Sequence, residues 1–238
     1  METGYRRRII IEPAPGVATA ELEDDCHRMA VRLHHEGGVI RRVECDMKRS
    51  PWSTCDGAMQ ALVDTFTGVA IADAARRGER TSNCTHLHDL TLFAAAHAAE
   101  KTRVCYDIFV SDIEDGRREA RLARDGAILF VWTLQDGRFA APQELAGRTI
   151  MELGDWVAAQ DKAGAEAARI LRWATILAGG REHDIPAGSS AMVFPLGACH
   201  TFQLERARVA TRRADAEIDF SAPGMQPLAD RADMFAGS

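Results

Sequence analysis

Pairs of turn residues set between alternating apolar runs constrain this chain more than any other feature. Gly37–Gly38 separates HRMAVRLHH (27–35) from VIRRVECDM (39–47). Asp115–Gly116 and Asp125–Gly126 punctuate three further runs at 102–113, 118–124 and 127–134. A tight hairpin needs positive φ at its central residues, which Gly adopts freely and Asp tolerates. The period-2 segments around these pairs are therefore predicted as antiparallel strands. Residues 5–11 and 17–23 join the first set, giving a β-meander that ends at Ser50–Pro51.

The period changes elsewhere. Met59, Leu62, Val63 and Phe66 form one stripe of a helix predicted over 55–67, with Gly68 as its C-terminal stop. A second helix is predicted over 84–100, with Leu87, Leu90, Phe93, Ala94 and Ala98 on one side and Ser82 or Asn83 as its cap. Residues 148–159 and 163–178 are predicted as helices, and Gly179–Gly180 stops the latter. A Pro/Gly-rich loop covers 181–198, and 199–213 forms a last short helix. Runs of strands followed by runs of helices favour α+β over βαβ winding. The expected fold is two antiparallel β-meanders with packed helices in a single domain, 1–238, with an ordered core over about 5–222 and a loose C-terminal tail.

Net charge is −6, and the short arginine runs (Arg6–Arg8, Arg41–Arg42, Arg212–Arg213) have acids nearby. That composition excludes a concentrated basic face, so no nucleic-acid partner is expected. No apolar run approaches the ~20 residues of a membrane span, so no membrane partner is expected either. The N-terminus lacks the apolar core of a signal peptide. Six scattered cysteines then read as reduced thiols and the location as cytoplasmic. A homodimer is the default assembly.

No phosphate-binding glycine loop, dinucleotide fingerprint, nucleophile elbow, HExxH or CxxC occurs, so no cofactor is expected. Three polar constellations remain. The densest is Cys84–Thr85–His86–Leu87–His88–Asp89 at a helix start, where free N–H groups hold anions or lower a thiol's pKa. His86 and His88 suit general acid–base work, with Asp89 beside them. They also suit a metal, but His97 on the same stripe lies 11 residues from His86, about 16 Å and too far for one ion, so a third ligand would come from His27 or Asp25. Plain helix capping explains the same residues. The second constellation is Glu23–Asp24–Asp25–Cys26–His27, where paired carboxylates can raise one pKa and give Asp25 an acid role, or simply make a solvated turn. The third is Arg49–Ser50–Pro51–Trp52–Ser53–Thr54–Cys55. Here Arg49 and Trp52 suit an aromatic carboxylate, or serve as structural anchors beside a helix cap. Tyr106, on an apolar strand, is a packed residue or a proton donor. His97, His183 and His200 are read as structural or exposed, and His34 and His35 point to opposite faces of their strand.

LEDDCH (22–27), RSPWSTC (49–55), NCTHLHDL (83–90), YDIFVSD (106–112), ARDGAILFVW (123–132) and EAARILR (166–172) resemble the bacterial domain-of-unknown-function family 2889 over about residues 5–222. Asp56 departs from the proline expected after the cysteine. The resemblance implies a place in bacterial catabolism of aromatic or steroid-like compounds, beside cofactor-free lyases for lignin-derived aromatics. The resulting expectation is a cofactor-independent lyase acting on a small aromatic substrate by carbon–carbon cleavage, such as formaldehyde release. His86 or His88 would be the base, Asp25 and Tyr106 acid or orienting groups, and Arg49, Trp52, His27, Cys55 and Asp89 substrate contacts. The alternatives are a metal-dependent hydrolase or lyase using His86 and His88, and a non-catalytic ligand-binding or assembly protein.

Overall fold

The computed structural model describes residues 2–231 and residue 235. Its strands are β1 (Gly4–Ala14), β2 (Val17–Asp24), β3 (Arg28–Glu36), β4 (Val39–Arg49), β5 (Val104–Ser111), β6 (Arg117–Arg124), β7 (Ala127–Gln135) and β8 (Arg138–Ala141). Its helices are α1 (Ala58–Phe66), α2 (Thr85–His97), α3 (Gly154–Ala158), α4 (Lys162–Ala178) and α5 (Leu204–Ala207). The strands form one eight-stranded antiparallel sheet in the order β4-β3-β2-β1-β5-β6-β7-β8, so the fold is α+β.

The turn residues act as the sequence implies. Gly37 and Gly38 sit at φ 58° and 75°, Asp115–Gly116 at 50° and 75°, and Asp125–Gly126 at 50° and 84°. Each pair reverses the chain between strands in register. A fourth such pair, Asp136–Gly137, at 50° and 76°, turns β7 into β8, a short strand absent from the expected pattern.

Two compact units divide the chain. One comprises Met1–Arg8, Cys105–Asp184 and Asp219–Ala229; the other comprises Ile9–Val104, Ile185–Ile218 and Asp230–Ser238. Strand β1 contributes residues to both. In the second unit α2 packs on β2 and β3, and α1 packs on β4. Leu87, Leu90 and Ala94 are fully buried there, together with Leu62 and Phe66 of α1 and Ala18, Ala20, Val31 and Leu33 of the strands. Helix α2 is enclosed on more than one side, for Thr85, His86, His88, Thr91 and His97 are buried as well. That departs from the single apolar stripe expected, and it is why polar side chains of this helix lie inside. Its N-cap is Cys84, with no side-chain cap bond; Ser82 and Asn83 instead donate to Glu79 O, and Asn83 also to Thr65.

In the first unit α4 packs on β6 and β7, capped by Asp161, whose carboxylate accepts from Gly164 N at 2.7 Å. Trp132 is fully buried against Phe139 and Trp156. The helix expected over 148–159 is reduced to a 3-10 turn at Ile150–Glu152 followed by α3. The one expected over 199–213 is reduced to α5, because Thr211 and Arg212 take extended bridges to Ser190 and Trp52 instead.

Both outer strands of the sheet meet loop backbone. Ile40 of β4 exchanges bonds with Val69 O and Gly68 N, at 2.9 and 2.8 Å, and Phe139 of β8 does so with Arg148 O and Gly147 N, both at 2.8 Å. Of the tail expected to be loose, residues 222–226 and 229–231 are exposed, but parts of it are held. Phe220 and Leu228 are buried, and Arg231 binds Glu12 and Glu21 at 2.8 and 2.5 Å. Residues 232–234 and 236–238 lie outside the described residues.

Leu87 anchors α2 to the sheet with no exposure. Leu87→Ala is expected to lower unfolding free energy by about 2–5 kcal/mol in a urea titration at unchanged m-value.

Candidate functional site: an aspartate and two histidines

Strand β2 ends at Asp24 and β3 begins at Arg28, so three residues make the turn. Asp24 has no solvent exposure, and a buried carboxylate must be hydrogen-bonded. Its Oδ1 accepts from Cys26 N and His27 N, each at 2.8 Å, and lies 2.9 Å from His27 Nδ1. A carboxylate only accepts, so the proton of neutral His27 sits on Nδ1 and its Nε2 keeps the lone pair.

From the other side the first turn of α2 brings His86. Its ring centroid lies 3.9 Å from that of His27, tilted by 31°. One donor atom from each of Asp24, His27 and His86 falls within 4.8 Å of the others. The three are close enough to share a proton network or an ion; Asp24 is fully buried, and the His27 side chain is 11% exposed. The packing of α2 on β2 and β3 thus joins the first and second sequence constellations.

Arg49, at the end of β4, closes the turn from below. Its Nη1 donates to Asp25 O at 2.5 Å, and its Nη2 to Asp24 O at 2.8 Å and Glu23 Oε1 at 3.0 Å. The guanidinium predicted to grip a substrate carboxylate therefore grips the Asp24–Asp25 backbone. Asp25 O accepts a further bond, from Ile218 N at 2.8 Å, and Asp25 is itself buried.

The remaining predicted residues lie elsewhere. His88, two positions from His86, points to another side of α2 and meets the Phe66 ring at 5.2 Å. Both its ring nitrogens are buried without a hydrogen bond, Nδ1 standing 3.9 Å from Asp89 Oδ1. Asp89 is held bidentately by Arg80 at 2.9 and 2.8 Å. Burial alone would push the Asp89 carboxyl up, but the Arg80 bonds and charge outweigh it and hold the group below 3.8. Cys84 is buried beside the same helix start. Desolvation drives its thiol well above the usual range, so the lowering expected from a helix N-terminus does not prevail. Burial likewise raises Cys55, which lies 3.5 Å from Thr201 Oγ1. Trp52 is buried edge-on against Phe194 and Phe202, at 5.6 and 5.7 Å. Tyr106 belongs to the first unit, where its hydroxyl donates to Glu166 Oε1 at 2.7 Å; burial and that carboxylate push its pKa far up.

Asp24 and Glu23 belong to the second sequence constellation, but the roles there were expected of Asp25 and His27. The signal that carries Asp24 is local: an Asp just before a turn accepts from the N–H groups two and three residues on, in an Asx turn.

Residues 13–100 match the model of one protein family. That family is described as a protein of unknown function, DUF2889. The matched segment holds Asp24, His27, Arg49 and His86, while Tyr106 and the later segments of the resemblance lie beyond it. No curated protein matches the chain. Among the described residues, no helix is long and apolar enough to cross a membrane.

Arg49→Met removes the cation that three acceptors share, including a Glu23 side chain with 5% exposure. Breaking a buried pair at one partner costs about 3–5 kcal/mol, and that loss is expected in guanidinium unfolding. Asp89 makes stability pH-dependent in a defined sense. Its carboxyl is depressed in the folded state, so its contribution is full above the unfolded value of 3.8 and is lost as pH falls below it. The stability gap between wild type and Asp89→Asn is therefore expected to be constant near neutrality and to close below pH ~4.

Proposed function

We propose that this protein is a cofactor-independent lyase that works by general acid–base catalysis at Asp24, His27 and His86. The observation that carries the reading is the 2.9 Å contact of His27 Nδ1 with a fully buried carboxylate. Such a carboxylate fixes the tautomer and orients the ring, which leaves Nε2 as a base. The second imidazole, 3.9 Å away between centroids, supplies a partner for proton return.

The reaction class that uses these groups is removal of a hydroxymethyl group from a small aromatic compound of the lignin-derived type. His27 Nε2 takes the hydroxyl proton of the –CH2OH group. The C–C bond breaks, its electron pair stays on the carbon attached to the aromatic system, and formaldehyde leaves. His86, or His27 itself, returns a proton to that carbon. Atoms and charge balance with no oxidant. In this reading the base is His27 with His86 rather than His88, which lies against Phe66. Arg49 is a positioning residue, holding the turn that carries Asp24. A cytoplasmic homodimer is the accompanying expectation.

A second reading rests on the same donor set: two imidazoles and a carboxylate suit a divalent transition metal. Against it, Asp24 Oδ1 already accepts three hydrogen bonds, which compete with a metal for that atom.

The test is formaldehyde release from lignin-type aromatics bearing a hydroxymethyl group, using untagged protein. His27→Ala is expected to lose about 10²–10⁴-fold in turnover and Asp24→Asn a lesser part of that, with His88→Ala within a few-fold of wild type once its folding is verified. Stoichiometric metal by elemental analysis, with turnover abolished by chelator, would replace the proposal by the second reading. Full activity of folded His27→Ala would remove both.

A further inference from the structure

Strand β7 loses one of its two neighbours half-way along. On one side it pairs with β6 from Ala127 to Gln135. On the other side, β8 pairs only with Thr133, Leu134 and Gln135. Pro142 follows β8, and the chain leaves the sheet through a 3-10 turn at Gln143–Leu145. Among the described residues, no backbone bond reaches Ala127–Val131 from that side. The backbone groups of an antiparallel strand face its two neighbours alternately. Gln135 and Thr133 face β8, so Val131 turns its N–H and C=O to the side that β8 has left. The side chains match this open backbone. Ile128, Leu129 and Val131 are 64, 43 and 46% exposed, and Phe130 is half-buried, 5.6 Å from the Trp156 ring. Neighbouring positions of a strand point to opposite faces, so apolar surface lies on both faces of this segment. No charged residue occurs from Ala127 to Leu134. Strand β4 guards its margin with charges, but this segment has no such guard.

We propose that Ala127–Val131 pairs antiparallel with the same segment of a second copy, joining two eight-stranded sheets into one across a two-fold axis. The open N–H and C=O groups select an extended backbone rather than a helix or a small molecule. The absence of charge selects the copy. A two-fold contact sets like residues near one another, so a charged strand would repel itself, whereas this one meets only apolar side chains. The contact also closes: both open segments are used up in the pair, and no third chain can add to them. Five residues a side, 127–131, are well short of the ~20–30 of a standard interface, so the pair is weak and exchanges with monomer. The pairing uses neither Asp24 nor the histidines, and the lyase chemistry does not depend on it.

Sedimentation velocity of the untagged full chain, from about 1 to about 500 μM, is expected to show monomer and dimer in exchange, with a dissociation constant on the order of 10–100 μM. Val131→Pro deletes the outward N–H at an edge position, where a strand tolerates proline. It is expected to raise the dissociation constant at least tenfold with an unchanged circular dichroism spectrum. Ile128→Lys, at an exposed position, should do the same by placing like charges across the axis. Val131→Thr keeps the N–H and the β-branched shape, and should dimerise within a few-fold of wild type. Amide exchange at Val131 should slow as concentration rises. A monomer throughout that range would overturn the proposal. So would a dimer that folded Val131→Pro and Ile128→Lys leave unchanged, because another face would then hold the copies. Growth beyond two copies would overturn it as well, since a two-fold contact stops at two. Failure of formaldehyde release leaves this proposal standing, and a monomer leaves the lyase proposal standing.

Discussion

A carboxylate sealed from water must be met by hydrogen bonds wherever it lies, and Asp24 shows what meeting that demand organises. One oxygen collects two backbone N–H groups and one imidazole. The backbone bonds shape the β2–β3 turn, and the imidazole bond aims His27. Arg49 brings a compensating positive charge to the carbonyls of the same turn and to Glu23. The β2–β3 turn and the candidate site therefore rest on one buried acid. The turn cannot be rebuilt for stability alone without moving the histidine.

The strands were legible because their punctuation is chemical. Gly37–Gly38, Asp115–Gly116 and Asp125–Gly126 demand a backbone conformation that few other pairs tolerate. Asp136–Gly137 carries the same message. It was passed over because β8, with four residues, is too short to show an alternating pattern. The helices were less legible at their ends. Residues 199–213 have helical composition, yet Thr211 and Arg212 are drawn into bridges with distant segments, a tertiary demand that no local propensity expresses.

The candidate site was half legible. The sequence singled out His27 and His86, and distance in the chain hid their meeting. They are 59 positions apart, and only the packing of α2 across β2 and β3 brings them together. His88 was indistinguishable from His86 by type, and helical geometry turned the two apart. Arg49 was noticed for the right property, a fork of donors, but for the wrong acceptor. No pattern in a single chain shows whether a guanidinium will be spent on the protein's own carbonyls. The enclosure of α2 on several sides was also hidden, since it comes from distant segments: His86 meets His27 of the β2–β3 turn, and His88 meets Phe66 of α1.

The pairing at the margins of the sheet has a consequence for how this protein behaves at high concentration. An outer strand with unused N–H and C=O groups is a template on which other chains stack into fibrils. Here the loop at 68–71 occupies part of the β4 margin, and the loop at 147–149 occupies β8. The rest of β4 carries Arg41, Arg42, Glu44, Asp46 and Lys48, charges that repel an incoming strand. A sheet of eight strands can thus persist in a crowded cell without growing into fibrils.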